Sequence, residues 1–120
     1  MDNANLNLNS GGYINDVTYD SYRNYYIVVG NFTTVNGFAR KNIAFLNGTT
    51  LAVETAPHLI PLSNIDGEIR TVEITRTFTD SSPDFYTYHL FIGGNFQTIT
   101  IGASNYTRKG IAKLTSTLPI

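Results

Sequence analysis

The side chains in this sequence that could do chemistry are few and scattered. The two histidines, His58 and His89, have no cysteine to join them, and no His-x-x-x-His or nearby Glu spacing builds a zinc site. His58 falls in a loop and His89 in a strand alternating with Tyr88 and Leu90, so both are expected as surface or packed residues. A calcium loop needs closely spaced carboxylates. Asp16, Asp20, Asp66, Asp80 and Asp84 instead stand singly at or beside turns, where Asp caps its own backbone. A glycosidase pair depends on separation in space, which a sequence leaves open, but turn chemistry accounts for these residues without it. No Gly-x-Ser-x-Gly elbow occurs, and Gly93-Gly94 is not followed by Gly-Lys-Ser or Gly-Lys-Thr. No catalytic, metal or cofactor-binding set is therefore expected, and the chain is read as not an enzyme.

Recognition chemistry is better supplied. Tyr22, Tyr25, Tyr26, Tyr86, Tyr88 and Tyr106 offer faces for sugars or for protein contact. Strand alternation turns half of such residues inward, so Tyr26 and Tyr88 are expected in the core and Tyr106 remains the contact candidate. Arg40 and Arg108 recur in matched positions. They are expected to fix a turn through backbone carbonyls or an Asp; the alternative is an anionic ligand. The Arg-Lys pairs form no basic stripe and the net charge is −1, so nucleic acid is not an expected partner. Asn31-Phe32-Thr33, Asn47-Gly48-Thr49 and Asn105-Tyr106-Thr107 are glycosylation sequons of a kind that arises easily in a chain rich in Asn and Thr.

The elements that must position these residues are strands. Only 14% of the 120 residues are charged, against a usual share of about 25%. Polarity comes from Asn, Thr, Ser and Tyr, a mixture suited to pleated surfaces and tight turns. No long stretch has a helical apolar period. Tyr13 to Tyr19, Tyr25 to Val29, Lys41 to Leu46, Ile69 to Phe78, Phe85 to Ile92 and Ile111 to Leu114 read as strands. Asn36-Gly37 is a hairpin-type turn and Asp66-Gly67 another turn. With no cysteine, stability owes nothing to disulfides. No apolar run is long enough for a membrane helix, and Met1 to Asn5 lacks the regions of a secretory leader, so neither a membrane nor signal-driven export is expected.

These strands come in two sets. Val29-Gly30-Asn31-Phe32-Thr33-Thr34-Val35 returns as Gly93-Gly94-Asn95-Phe96-Gln97-Thr98-Ile99, and Arg40-Lys41-Asn42-Ile43-Ala44-Phe45-Leu46 as Arg108-Lys109-Gly110-Ile111-Ala112-Lys113-Leu114. Gly30 and Gly94 lie 64 positions apart and Arg40 and Arg108 lie 68 apart, which puts a four-residue insertion near Ile101 to Asn105. Glycine at 30 and 94 permits a kink or a close strand approach at the end of an apolar strand. Leu6 to Gly12 matches Leu59 to Gly67 as the approach to each unit. The chain is read as one domain, residues 1–120, made of repeats at about 1–56 and about 57–120. Units of this size do not bury their cores alone.

The run from Val28 to Gly37, then Arg40 to Asn47, resembles the delta-60 repeat: an apolar strand ending Gly-Gly-x-Phe-Thr, then Asn-Gly, Arg and Ile-Ala-Arg-Leu-Asn. The second copy matches at Gly93-Gly94-Asn95-Phe96, Arg108 and Ile111 to Leu114, and departs by losing Asn-Gly to the insertion. The resemblance implies an all-β fold of two β-propeller blades, each of four antiparallel strands, with Gly30, Phe32, Arg40, Gly94, Phe96 and Arg108 as repeat scaffold and Phe32 and Phe96 turned inward between blades. It also implies a non-enzymatic virion structural or adhesion protein of a bacteriophage, located in the virion, or a protein of the extracellular cell surface. Two blades close no ring. The expected partners are copies of the chain itself, with a trimer giving six blades, or other virion proteins. The alternative is a lectin-like carbohydrate-binding module with a glycan as ligand.

Overall fold

The run Tyr25 to Val29 is apolar at every position, so it must be covered on both faces, and the architecture follows from how that is done. The computed structural model describes residues 6–54, 62–79, 82–101 and 104–119, and among these the regular structure is antiparallel β-strand with no helix. A first unit holds β1 (Tyr13–Asp20), β2 (Tyr25–Asn31), β3 (Thr34–Val35), β4 (Phe38–Ala39) and β5 (Ile43–Asn47). A second holds β6 (Leu62–Ile65), β7 (Ile69–Thr79), β8 (Ser82–Gly94), β9 (Thr98–Ile101), β10 (Ser104–Thr107) and β11 (Ile111–Pro119).

Each unit pairs a large sheet with a small one. The large sheets run β1-β2-β5 and β7-β8-β11. The small ones are the β3-β4 hairpin, extended by a bridge from Leu8 to Val35, and the β6-β9-β10 sheet. A bridge between Leu46 and Val53 adds a further edge to the first large sheet. Asn36 (φ 51) and Gly37 (φ 84) both take positive φ, as a two-residue hairpin turn requires. The four-residue insertion is resolved as length added to this hairpin: β9 and β10 have four residues each where β3 and β4 have two.

The two units share their strand order and register, with the Leu8 bridge of the first standing where β6 stands in the second. Ile14 pairs Gly30 and Ile69 pairs Gly94, and in both units a one-residue bulge follows at once. The backbone closes identically. Gly30 N donates to Asn42 O (3.1 Å) and Gly94 N to Gly110 O (2.9 Å), while Asn42 N donates to Phe32 O and Gly110 N to Phe96 O, both at 3.1 Å. Asn42 (φ 70) and Gly110 (φ +83) share the left-handed conformation that this closure needs, which Asn and Gly adopt most readily.

The buried side chains form two clusters. On one face of the first large sheet, Tyr25, Ile27, Val29, Ile43 and Phe45 join Val72, Leu90, Ile92, Ala112 and Leu114 of the second, with Ile65, Phe96 and Ile99 of the small β6-β9-β10 sheet in the same cluster. On the other face, Val28, Ala44 and Leu46 are covered by Phe32 and Val35, with Leu6, Leu8 and Tyr26 packed against them. Full burial of each large aliphatic or aromatic residue contributes about 1.5–3 kcal/mol.

Gly30 and Gly94 are required by close approach of the neighbouring strand. A Cβ at Gly30 would collide with Tyr13 O and lie 2.8 Å from Ile14 Cα; at Gly94 it would collide with Glu68 O and lie 2.8 Å from Ile69 Cα. Both obstacles are backbone, which cannot rotate away. At Gly93 the obstacle is only Thr71 Cγ2, at 2.9 Å, the end of a side chain. Gly94→Ala is therefore expected to destabilise the protein by about 3 kcal/mol or more, and Gly93→Ala by less than about 1 kcal/mol. Urea unfolding midpoints at unchanged slope measure the difference.

Candidate assembly interface

The most elaborate constellation in the molecule is the seam where the units meet. Its apolar part is the first of the two clusters above. Its polar part lies where β1 runs beside β7, the outer strands of their sheets. There the edge backbone of β7 is met by side chains of β1: Asp16 Oδ2 accepts from Val72 N (3.0 Å), and Asn15 Nδ2 donates to Ile69 O (2.9 Å). Glu68 Oε2 accepts from Tyr13 Oη (3.0 Å) and from Asn15 Nδ2 (2.8 Å). Further along, fully buried Asp20 pairs with Arg76 at 3.0 Å, and the Arg76 guanidinium lies 4.4 Å from the Tyr22 ring centre. Asp20 also accepts from the backbone N–H of Tyr22 and Arg23, closing its own turn.

Asn42 is the peg between units. Its Oδ1 accepts from Phe32 N (3.0 Å) within the first unit, and its Nδ2 donates to Ile65 O and Gly67 O (both 2.8 Å) in the second. Ile65 N returns a bond to Lys41 O (3.2 Å). Within each unit a second hook holds the small sheet. Asn9 Oδ1 accepts from Thr33 N (2.7 Å), and at the equivalent place Asp66 Oδ1 accepts from Gln97 N and Thr98 N (both 2.9 Å).

Gly30 and Gly94 each abut a neighbouring strand of their own unit. Both phenylalanines are buried, but only Phe96 belongs to the cluster shared by the two units. Phe32, expected between blades, packs instead within the first unit against Val28, Val35, Ala44 and Leu46, because the small hairpin folds back over its own sheet. Arg40 donates to Ala39 O (2.8 Å) and Glu54 O (3.1 Å); Arg108 donates to Thr107 O (2.8 Å). Each arginine also stands 5.8 Å from an aromatic ring centre, Phe38 and Tyr106 respectively. Tyr106 is exposed on β10, Tyr88 is buried and Tyr26 is half-buried. His89 lies between Thr77 Oγ1 (3.2 Å) and Thr115 Oγ1 (3.3 Å). Among the described residues no group of three or more His, Cys, Asp or Glu could hold a metal ion. His58 and Asp80 lie outside the described residues, as does the side chain of Asp84.

Sequence reasoning put Asp16 and Asp66 at or beside turns capping their own backbone. Asp16 Oδ1 does accept from Val17 N (2.9 Å), but what was missed is that Asp16 Oδ2 and Asp66 Oδ1 take N–H groups distant in sequence, Val72 N in the one case and Gln97 N and Thr98 N in the other. The signal was available for one: Leu8-Asn9 and Ile65-Asp66 stand in the same position before each unit. Asn15 and Asn42 carried no signal, since an Asn in an Asn-rich chain is unremarked until its neighbours in space are known.

The same register identifies what lies at the two ends. Ile43 is fully buried in the seam, whereas its counterpart Ile111 is 72% exposed. Val72 is 6% exposed against the first unit, whereas its counterpart Val17 is 51% exposed. Each unit therefore carries two seam faces, and one of each is uncovered.

Carboxylates of the seam and of the hooks give the fold a pH response. Hydrogen bonds from Gln97 N and Thr98 N hold the Asp66 carboxyl below its usual range, and those from Asn15 and Tyr13 do the same for Glu68. Burial pushes the Tyr25 phenol up, with Glu54 adding to the effect. A carboxyl depressed on folding contributes stability above its unfolded pKa of about 4, and that stability is lost as pH falls through the folded value. Asp66→Asn copies the residue at Asn9 and removes one such group. Its unfolding free energy is expected to fall less steeply below about pH 4 than that of the parent, as followed by urea denaturation across pH 2–7. Asn42→Gly keeps the left-handed backbone and deletes only the peg. It is expected to cost about 2–4 kcal/mol, while Gly110→Asn is tolerated, since the nearest atom to its added Cβ is Gly94 O at 3.6 Å.

No protein-family model, no curated protein and no solved structure matches this chain.

Proposed function

We propose that the chain is a non-enzymatic structural and adhesion protein of a bacteriophage particle, acting through protein–protein assembly, with its two units serving as propeller-type blades. The observation that carries this reading is the contrast between a mated seam face and its uncovered counterpart, Ile43 fully buried and Ile111 72% exposed. A serial unit with such a face is built to be continued. The sheets support the blade assignment in their antiparallel meander order, with the small hairpin inserted before the last strand, although each large sheet has three strands where a four-stranded blade is expected; in the first unit the Leu46–Val53 bridge begins a fourth edge. The carboxylates support the non-enzymatic assignment, because Asp16, Asp20, Asp66 and Glu68 all accept hydrogen bonds within the scaffold. The virion setting rests on the delta-60 resemblance, and a cell-surface location follows from the same resemblance.

A carbohydrate-binding module is the second reading, favoured by Tyr106, exposed on the longer hairpin with Arg108 beside its ring. Mass spectrometry of purified virions is expected to find the protein in fixed ratio to the major structural proteins, and its absence from the particle would remove the virion reading. On a glycan array, specific binding lost in Tyr106→Ala would replace assembly with lectin activity.

A further inference from the structure

The two uncovered faces are repeat counterparts of the two faces already mated inside the chain. We infer that they mate with each other between molecules: the outer face of the second unit docks, head to tail, on the outer face of the first unit of a second copy. The inference rests on the reading of the units as serial blades and commits that reading to one partner, the chain itself.

Shifting the internal seam by one unit assigns the contacts. The donor face Tyr25, Ile27, Ile43 and Phe45 becomes His89, Phe91, Ile111 and Lys113. The receiving face Val72, Ile74 and Leu90 becomes Val17, Tyr19 and Tyr26 of the next copy. The substitutions on the two faces complement each other. Phe45, buried in one cluster with Leu90 and Ile74, is replaced by Lys113; Ile74 and Leu90 are replaced by the Tyr19–Tyr26 pair, whose rings are tilted at 43° with centres 4.9 Å apart. A cation thus gains aromatic faces where a phenyl ring had aliphatic ones. Lys113 already stands 5.6 Å from the Phe91 ring centre. The Tyr13–Glu68 pair maps onto itself with the roles exchanged, Glu68 of one copy meeting Tyr13 of the next. Gly110 stands where Asn42 pegs the internal seam, so the intermolecular seam lacks that peg and is the weaker, reversible one.

Such an interface is heterologous, so it ends only by closing a ring. Three copies give six blades, within the usual four to eight. Val17 and Ile111 are both exposed, so Glu at either position leaves the fold intact and spoils one face only. By light scattering, the parent protein is expected as a closed oligomer, and Val17→Glu and Ile111→Glu each as monomers with unchanged circular dichroism. An equimolar mixture of the two variants retains one good face of each kind and is expected to form a 1:1 dimer that grows no further. A monomeric parent overturns the inference while leaving the virion reading to mass spectrometry. So does either variant associating like the parent, which would mean a face pairing with itself, or a mixture that stays monomeric while the parent associates.

Discussion

A sheet that is apolar on both faces needs two covers, and this protein is organised by that requirement. In the first unit, Ile27 and Val29 point to one side and Val28 to the other, and all are buried. Three strands cannot satisfy both sides, so the chain spends its next segment on a cover. The small sheet folds over one face through Phe32 and Val35, and the neighbouring unit covers the other. The small hairpin is inserted between β2 and β5 because a cover leaving from the end of β2 returns the chain to the place where β5 must begin. Gly30 and Gly94 make this departure possible, since the neighbouring backbone comes too close there for any side chain.

The two units divide labour between backbone and side chains. The backbone bonds that shape a unit recur in both: Gly30 with Asn42 and Gly94 with Gly110, Arg40 N with Thr33 O and Arg108 N with Gln97 O, and the Asn9 and Asp66 hooks hold the small sheets at matching places. The bonds that join the units are mostly from side chains, and these do not recur. Asn42 has a glycine as counterpart, Asp16 a threonine and Phe45 a lysine. Main-chain geometry is indifferent to such changes, so a unit keeps its form while its faces diverge. A repeat can then specify which junction forms where, since each face carries its own side chains on a common frame.

That division also explains what was legible in the sequence. Strand positions, the Asn36-Gly37 turn and the all-β antiparallel class came from local pattern, because alternation and turn chemistry act over a few residues. The two-unit register came from the doubled Gly-Asn-Phe and Arg-Lys blocks, since those residues hold backbone geometry. The insertion was visible as a length, but its form as a longer hairpin depended on pairing between β9 and β10. The seam was largely hidden. Asn15, Asp16 and Asn42 act on residues more than twenty positions away, and nothing local marks an Asn or Asp that will reach across rather than cap its own turn. Ile43 and Ile111 look alike in sequence; only the presence or absence of a neighbouring unit separates them.

Why the units meet through side chains at β1 and β7 rather than by pairing these strands has a physical answer. Both are edge strands, with backbone groups free to recruit another strand. Had they paired, the units would merge into one continuous twisted sheet, and the apolar faces would lie side by side rather than face to face. Asp16 takes the Val72 N–H and Asn15 takes the Ile69 carbonyl, so the edge of β7 is satisfied while the sheets stay separate. In the head-to-tail arrangement Arg70 and Thr71 occupy the places of Asn15 and Asp16. Only part of the polarity is retained: a guanidinium can donate to the Ile14 carbonyl, whereas the Val17 N–H is already held by Asp16 Oδ1 at 2.9 Å. The two edges are therefore satisfied differently: β7 needs Asp16 of the other unit for its Val72 N–H, while β1 caps the matching Val17 N–H from within its own strand.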